Sequence, residues 1–276
     1  MTKENVTIIF SKNRALQLDA CIRTLLENCK DVLQTSDVNV LYMAEKMHKE
    51  SYQTLYKGYT DINFVEEVDF KQDLLRLLQD KIGVLFVVDD TIFTDEFSLQ
   101  DIFSDLFENG DSIGFTLRLG SNTNFCYPFN CGQEVPLLSP GGKNTNSGKY
   151  RWYSEPFDFG YPLEVSSSVY RVNDLLPFLQ RGNYNNPNSL EAIMLNNVRK
   201  FVVSKPYLFC FKKSVAFANP LNRVQTYNNN RAENIDAEYL LNQFEEGSRI
   251  DVSAFKHFKS NAAHQFVPLD FINKQG

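Results

Sequence analysis

Two adjacent carboxylates, Asp89 and Asp90, stand directly after the apolar run Val84-Leu85-Phe86-Val87-Val88. Hard oxygen donors of this kind suit Mg2+ or Mn2+ and, through the ion, a diphosphate. The same dipeptide also suits an acidic turn that caps a following helix. Near the N-terminus, Ser11-Lys12-Asn13-Arg14 leads into a helical pattern. A helix start flanked by a Lys and an Arg is a ready anion site, although a solvated basic turn has the same composition. Further along, Asn186-Pro187-Asn188-Ser189-Leu190-Glu191 opens a helix with Glu191 in its first turn. That carboxylate either faces a pocket as a general base or complements the helix dipole. His264 is one of three histidines and lies in the tail 261–269; it is a structural residue or a ligand.

The elements around these groups read as alternating strands and helices. Val6–Phe10, Val38–Met43, Ile62–Val65 and Val84–Val88 are short runs of β-branched and apolar residues. Between them, Leu18, Cys21, Ile22, Leu25 and Leu26 recur at helical spacing, as do Tyr52, Leu55 and Tyr59, and then Leu74, Leu75 and Leu78. Four alternations predict βαβ units and a mostly parallel sheet flanked by helices. Ligands gather at the carboxyl ends of strands in such sheets, which is where Ser11–Arg14 and Asp89–Asp90 fall. There is no glycine-rich phosphate loop, so side chains must hold any nucleotide. Later segments predict a helix over 97–107, a strand over 112–118, and a long loop over 120–149 rich in Asn, Gly, Ser and Pro. After it come Trp152 and several Tyr and Phe residues, a strand over 163–170 with a small-residue centre, helices from 174 and 187, a strand over 207–211 and a helix over 236–247. The chain is expected to form a single domain, 1–276. Residues 1–118 would make a donor-binding half, 119–235 an acceptor-side half, and 236–276 a terminal helix and tail.

Composition narrows the function. The net charge of −6 argues against a nucleic-acid surface. No apolar run approaches a membrane span and residues 1–5 lead straight into a strand. The expectation is a cytoplasmic protein, or one peripheral to the inner face of a membrane. Five cysteines, with no C-x-x-C pair, read as reduced thiols.

The order of these motifs resembles the GT-A-type glycosyltransferases, chiefly bacterial family 2-like enzymes and more distantly the exostosin type. A polar turn after the first strand (Phe10–Arg14), an acidic motif after a central strand (Val87–Thr91) and a later loop–helix carboxylate (Glu191) appear in that order. The resemblance implies a GT-A-like fold and transfer of a sugar from a nucleotide-diphosphate donor to an acceptor hydroxyl of a glycan, lipid or protein. It implies that Ser11, Lys12, Asn13, Arg14, Asp69 and Asp89 line the donor. Arg223 and Arg231 would neutralise the leaving diphosphate. Asp90, with Asp89 and His264, would hold Mn2+ or Mg2+, and Glu191 would be the base of an inverting reaction. Trp152, Tyr161 and Glu164 are assigned to the acceptor. Val88 departs from fuller acidic motifs, which carry a third Asp there, and this bears on metal dependence. The alternatives are a nucleotidyltransferase, whose glycine- and arginine-rich first loop is missing here, and a non-catalytic module that keeps the fold.

Overall fold

The computed structural model describes residues 3–143, 145–222, 233 and 235–273. In chain order the strands are β1 (Asn5–Lys12), β2 (Ser36–Met43), β3 (Asn63–Glu66), β4 (Gly83–Val88), β5 (Thr91–Phe93), β6 (Ser112–Thr116), β7 (Phe125–Cys126), β8 (Cys131–Gly132), β9 (Ser147–Arg151), β10 (Ser167–Arg171), β11 (Tyr207–Phe211), β12 (Ala216–Ala218), β13 (Ser248–Ile250) and β14 (Phe271–Asn273). The helices are α1 (Ala15–Asn28), α2 (Val32–Thr35), α3 (Lys49–Gly58), α4 (Phe70–Leu77), α5 (Leu99–Glu108), α6 (Val172–Arg181), α7 (Pro187–Asn196) and α8 (Ala237–Glu245).

Eight strands form one sheet in the order β3-β2-β1-β4-β10-β6-β11-β9. The pairs β1–β2, β1–β4, β2–β3 and β6–β11 are parallel, as the strand–helix alternation predicts. Two strands are exceptions: β10 runs antiparallel between β4 and β6, and edge strand β9 runs antiparallel to β11. The insertion of β10 makes residues before and after 118 share one sheet. It also makes β10 begin at the edge where β4 and β6 end, since Ser167 pairs with Val87 and Ser168 with Thr116.

Side-chain parity explains why these strands are buried on both faces. Val6, Ile8 and Phe10 of β1, with Val84 and Phe86 of β4, pack against Phe70 and Leu74 of α4, Leu175 and Leu179 of α6 and Leu190 of α7. Ile9, Leu85 and Val87 point the other way, onto Leu18, Ile22 and Leu25 of α1, Ile102 and Leu106 of α5 and Leu240 of α8. Each such side chain contributes about 1.5–3 kcal/mol by leaving water. The stretch 120–149 departs from the expected plain loop: it contains the β7–β8 hairpin and the start of edge strand β9. All five cysteines are free. Among the described residues, no helix is long and apolar enough to cross a membrane.

Candidate active site

Strand β1 ends in a turn at Asn13, whose φ of 55° lies in the left-handed region that Asn tolerates. The Asn13 side-chain oxygen accepts the Glu45 N–H at 2.9 Å and fixes the turn. This geometry aims Arg14 across to the end of β4. Its Nη1 lies 3.1 Å from Oδ1 of Asp89 and 3.3 Å from Oδ2 of Asp90, while its Nη2 donates to the Asn222 carbonyl. Asp89 also accepts from the Ser11 hydroxyl at 2.9 Å and the Lys12 N–H at 3.3 Å. The Tyr52 hydroxyl closes the group, 2.5 Å from Ser11 Oγ and accepting the Arg14 N–H at 3.2 Å.

The three charged side chains are well buried, at 11% exposure for Arg14, 6% for Asp89 and 15% for Asp90. Burial opposes the charge on Arg14, but Asp89 and Asp90 outweigh it and its pKa is raised. Asp90 is pushed up to about 6, chiefly by burial and then by Asp89, against the pull of Arg14.

A second polar group stands on the same edge. Thr91 Oγ1 donates to the Ser166 carbonyl at 2.7 Å, tying the acidic turn to the segment that enters β10. In that segment Glu164 is 2% exposed. Its carboxylate is wrapped by the Ser167 N–H, by the Ser166 N–H and hydroxyl, and by the Ser168 hydroxyl. Arg118, two residues past β6 and 3% exposed, pairs with Glu164 at 3.7 Å. Among the described residues its Nε has no hydrogen-bond partner. Burial works against its charge, and Glu164, Asp158 and Glu191 hold it raised. Glu191 lies half-buried on α7, which starts with an Asn186–Ser189 capping box and Pro187. It accepts the Tyr161 hydroxyl at 2.7 Å and the Val165 N–H at 3.0 Å. Burial and Glu164 raise its pKa, while Tyr161 and Arg118 pull it down. Tyr161→Phe should therefore move the acid limb of any Glu191-dependent rate to higher pH, visible in a kcat/KM profile.

Ala218 bridges to His264, and the Asn219 N–H donates to the Asp90 carbonyl at 2.8 Å. Burial, then Arg118, depresses the His264 pKa to about 3, so the imidazole is neutral. Its Nδ1 is buried and without a hydrogen-bond partner among the described residues.

As a cation site, Asp89, Asp90 and His264 do not fit in this arrangement. The guanidinium of Arg14 lies between the carboxylates, both Asp89 oxygens carry donors, and the charge beside His264 is Arg118. Among the described residues no three His, Cys, Asp or Glu side chains come together as a ligand set. Two acceptor assignments are corrected. Trp152 is 3% exposed and donates to the Lys205 carbonyl at 2.8 Å, so it is core; Glu164 is enclosed by its own serines. Tyr161 positions Glu191. Asp69 is exposed and N-caps α4 by accepting the Gln72 N–H at 3.0 Å, at the end of β3 and two strands from β1. Arg223 and Arg231 lie outside the described residues.

Sequence reasoning missed Arg118 and Tyr52. Arg118 closes the run Ile113–Leu117 as Asp89 closes Val84–Val88, and that parallel was the available signal. Phe129 was missed too, and Phe157 shows in the sequence only as one of the aromatics after Trp152, which either stack on a sugar or are buried; the two residues are 70% and 39% exposed, with ring centres 5.5 Å apart. Phe157 has φ 54°, an uncommon backbone state for an aromatic residue. Its neighbour Asp158 is buried, bonded to Gln133 and felt by Arg118, so the aromatic pair is anchored to the site's edge.

No protein-family model matches the chain. It is 30% identical, over an alignment of 248 residues, to the bifunctional glycosyltransferase pgtA of Dictyostelium discoideum. That alignment covers 79% of this chain and 32% of the relative, so the chain spans about a third of that protein's length. Among solved structures, TarS 1–349 of S. aureus in complex with UDP-GlcNAc aligns at TM-score 0.49 and 14% identity, covering 89% of this chain and 72% of that one. The 4-diphosphocytidyl-2C-methyl-D-erythritol synthase of Anaerococcus prevotii aligns at 0.43 and 8% identity, covering 88% and 100%. The likeness to glycosyltransferases expected from the motif order thus has a sequence relative behind it, on a mixed α/β fold with a mostly parallel central sheet.

Proposed function

We propose that this chain transfers a glycosyl group from a nucleoside-diphosphate sugar to an acceptor hydroxyl, with inversion and with Glu191 as the base. One observation carries the reading. Glu191 is joined to the acidic turn of β4 by a continuous path: its carboxylate accepts the Val165 N–H, and the adjacent Ser166 carbonyl accepts from Thr91. Base and donor-side groups therefore stand on one sheet edge.

In this reaction the acceptor hydroxyl gives its proton to Glu191 as its oxygen bonds to the anomeric carbon. The bond from that carbon to the diphosphate oxygen breaks, and the nucleoside diphosphate leaves with the electron pair. Each Glu191 oxygen accepts one hydrogen bond from the protein and keeps a second lone pair for the acceptor. Lys12 and the N-terminus of α1 supply positive potential for the leaving group. A single displacement of this kind inverts the anomeric carbon.

The exposed Phe129–Phe157 pair is the acceptor platform in this reading, since aromatic faces stack on the apolar faces of sugars. Taken as equal to the gain of one aromatic ring on another, that stacking is worth about 0.5–1.5 kcal/mol. Phe129→Ala should raise the acceptor KM by about 2- to 12-fold and leave donor affinity unchanged, as steady-state kinetics would show.

The test of the whole proposal is a thermal-shift screen with UDP, GDP, CDP and ADP and their sugar conjugates. A ligand that binds only the native state raises its apparent stability. Stabilisation by one diphosphate and its sugars supports a donor site. A well-folded sample that responds to none points to a non-catalytic module.

A further inference from the structure

We infer that Arg14 is the resident counter-charge of the Asp89–Asp90 pair and occupies the position a divalent cation would otherwise take. The acidic turn then acts through Arg14 to lock the β1 turn in place, as a positioning device. What this means for donor binding rests on the glycosyltransferase reading; the charge assignment itself does not.

The contacts of Arg14 are those of a built site. One guanidinium nitrogen lies within 3.3 Å of a carboxylate oxygen from each aspartate, and the other donates to the Asn222 carbonyl. Gln17 Nε2 holds the Asn222 side chain at 3.3 Å, so Asn222 is fixed from two positions three residues apart at the start of α1. The Arg14 N–H is bound to Tyr52, and Tyr52 in turn contacts Ser11, which donates to Asp89. Asn222, Tyr52 and Asp89 are therefore themselves held, which limits the freedom of the guanidinium to swing aside.

Charge and chemistry favour the arginine over an ion. Asp89 oxygens already receive a guanidinium, a hydroxyl and a main-chain N–H. A metal bound there would displace these donors and would bring a second positive charge against a buried guanidinium. Two carboxylates against one arginine leave a net negative charge, and it falls at Asp90, the more exposed of the two. An acceptor oxygen at that point suits hydroxyl donors such as those of a ribose.

Mn2+ alone, added to an excess of the 276-residue chain, tests this through the electron paramagnetic resonance signal of the free ion. The wild-type protein should leave the signal as in buffer. Arg14→Met, which uncovers two carboxylates, should bind Mn2+ at least about tenfold more tightly than wild type. A purely structural role for Arg14 would not produce that gain. Wild-type protein that binds Mn2+ as tightly as Arg14→Met overturns the inference. If Arg14→Met does not fold, wild type is compared with Asp90→Asn. Equal free signals support the inference, and wild-type binding that Asp90→Asn removes overturns it.

A second arm uses UDP, GDP, CDP and ADP in thermal shift with EDTA. A shift that persists in EDTA supports the inference, and one that appears only with Mn2+ overturns it. Should none of the four act with or without Mn2+, the donor reading fails, and the Mn2+ titration still decides the role of Arg14.

Discussion

Glu191→Gln should lower kcat by about 10²- to 10⁴-fold, the usual range for loss of a general base, while donor KM changes by less than about twofold. The substitution suits the question because it preserves the packing. In the wild type the two Glu191 oxygens accept from Tyr161 and Val165. In the amide, the remaining oxygen accepts the Val165 N–H, and the new NH2 donates to the Tyr161 hydroxyl, which can accept as well as donate. The thermal midpoint should therefore move little, and the kinetic loss reports chemistry. The pH profile adds a second readout. Wild-type kcat/KM should fall on the acid side as Glu191 takes a proton. That limb should lie above the ordinary glutamate range, because burial and Glu164 raise its pKa. In Glu191→Gln the acid limb should disappear. A kcat within threefold of wild type would place the base elsewhere, and Asp90, itself pushed up to about 6, would be tested next.

The sheet was legible in the sequence wherever a strand is buried on both faces. Val84–Val88 shows as an unbroken apolar run, and Val6–Phe10 as one broken only by Thr7, because their even and odd side chains enter two separate layers. Asp89 and Asp90 were legible for the same reason, as the place where such a run stops. Strand β9, Ser-Gly-Lys-Tyr-Arg, was not. It lies at the sheet edge; among the described residues it is paired along its length only with β11 and bridged on the outer side only by Ser139 at Lys149, and no apolar pattern is required there. The antiparallel insertion of β10 was hidden too, because strand direction is set by where the chain returns and leaves no mark on composition.

At the site, residue types were readable but their partners were not. Arg14 and Asp89 are 75 residues apart, and nothing local says that one neutralises the other. The small side chains of Ser166-Ser167-Ser168, at the centre of the strand read over 163–170, are of the kind that leaves room for a ligand. Instead their amides and hydroxyls fill that space around Glu164, as a buried carboxylate demands of its surroundings. Trp152 shows the same ambiguity: a lone tryptophan in a polar segment serves equally as a stacking face or as core, and the Lys205 carbonyl that receives its N–H decides for core.

Arg118→Met should cost about 3–5 kcal/mol of folding stability near pH 8, measured by urea unfolding, because it leaves buried carboxylates uncompensated. Arg118 and Glu164 are 4% and 2% exposed in their side chains, so solvent screens the pair little. The deficit should depend on pH, and its sign follows from two groups. Glu191 already has a raised pKa, and Arg118 is one of the groups pulling it back. Without Arg118 it rises further. The folded variant then holds a proton that the unfolded chain releases, and stability is lost as pH climbs from the ordinary glutamate value through the raised one. His264 acts in the same direction. Its pKa is depressed to about 3 by burial and then by Arg118, so wild type loses stability as pH falls below the ordinary histidine value. Removing Arg118 relieves part of that loss. Both effects make the variant's deficit smaller at pH 5 than at pH 8. A deficit independent of pH would mean that Arg118 supports the fold by packing alone. It would also break the proposed link between this arginine and the basicity of Glu191, since the same field sets both.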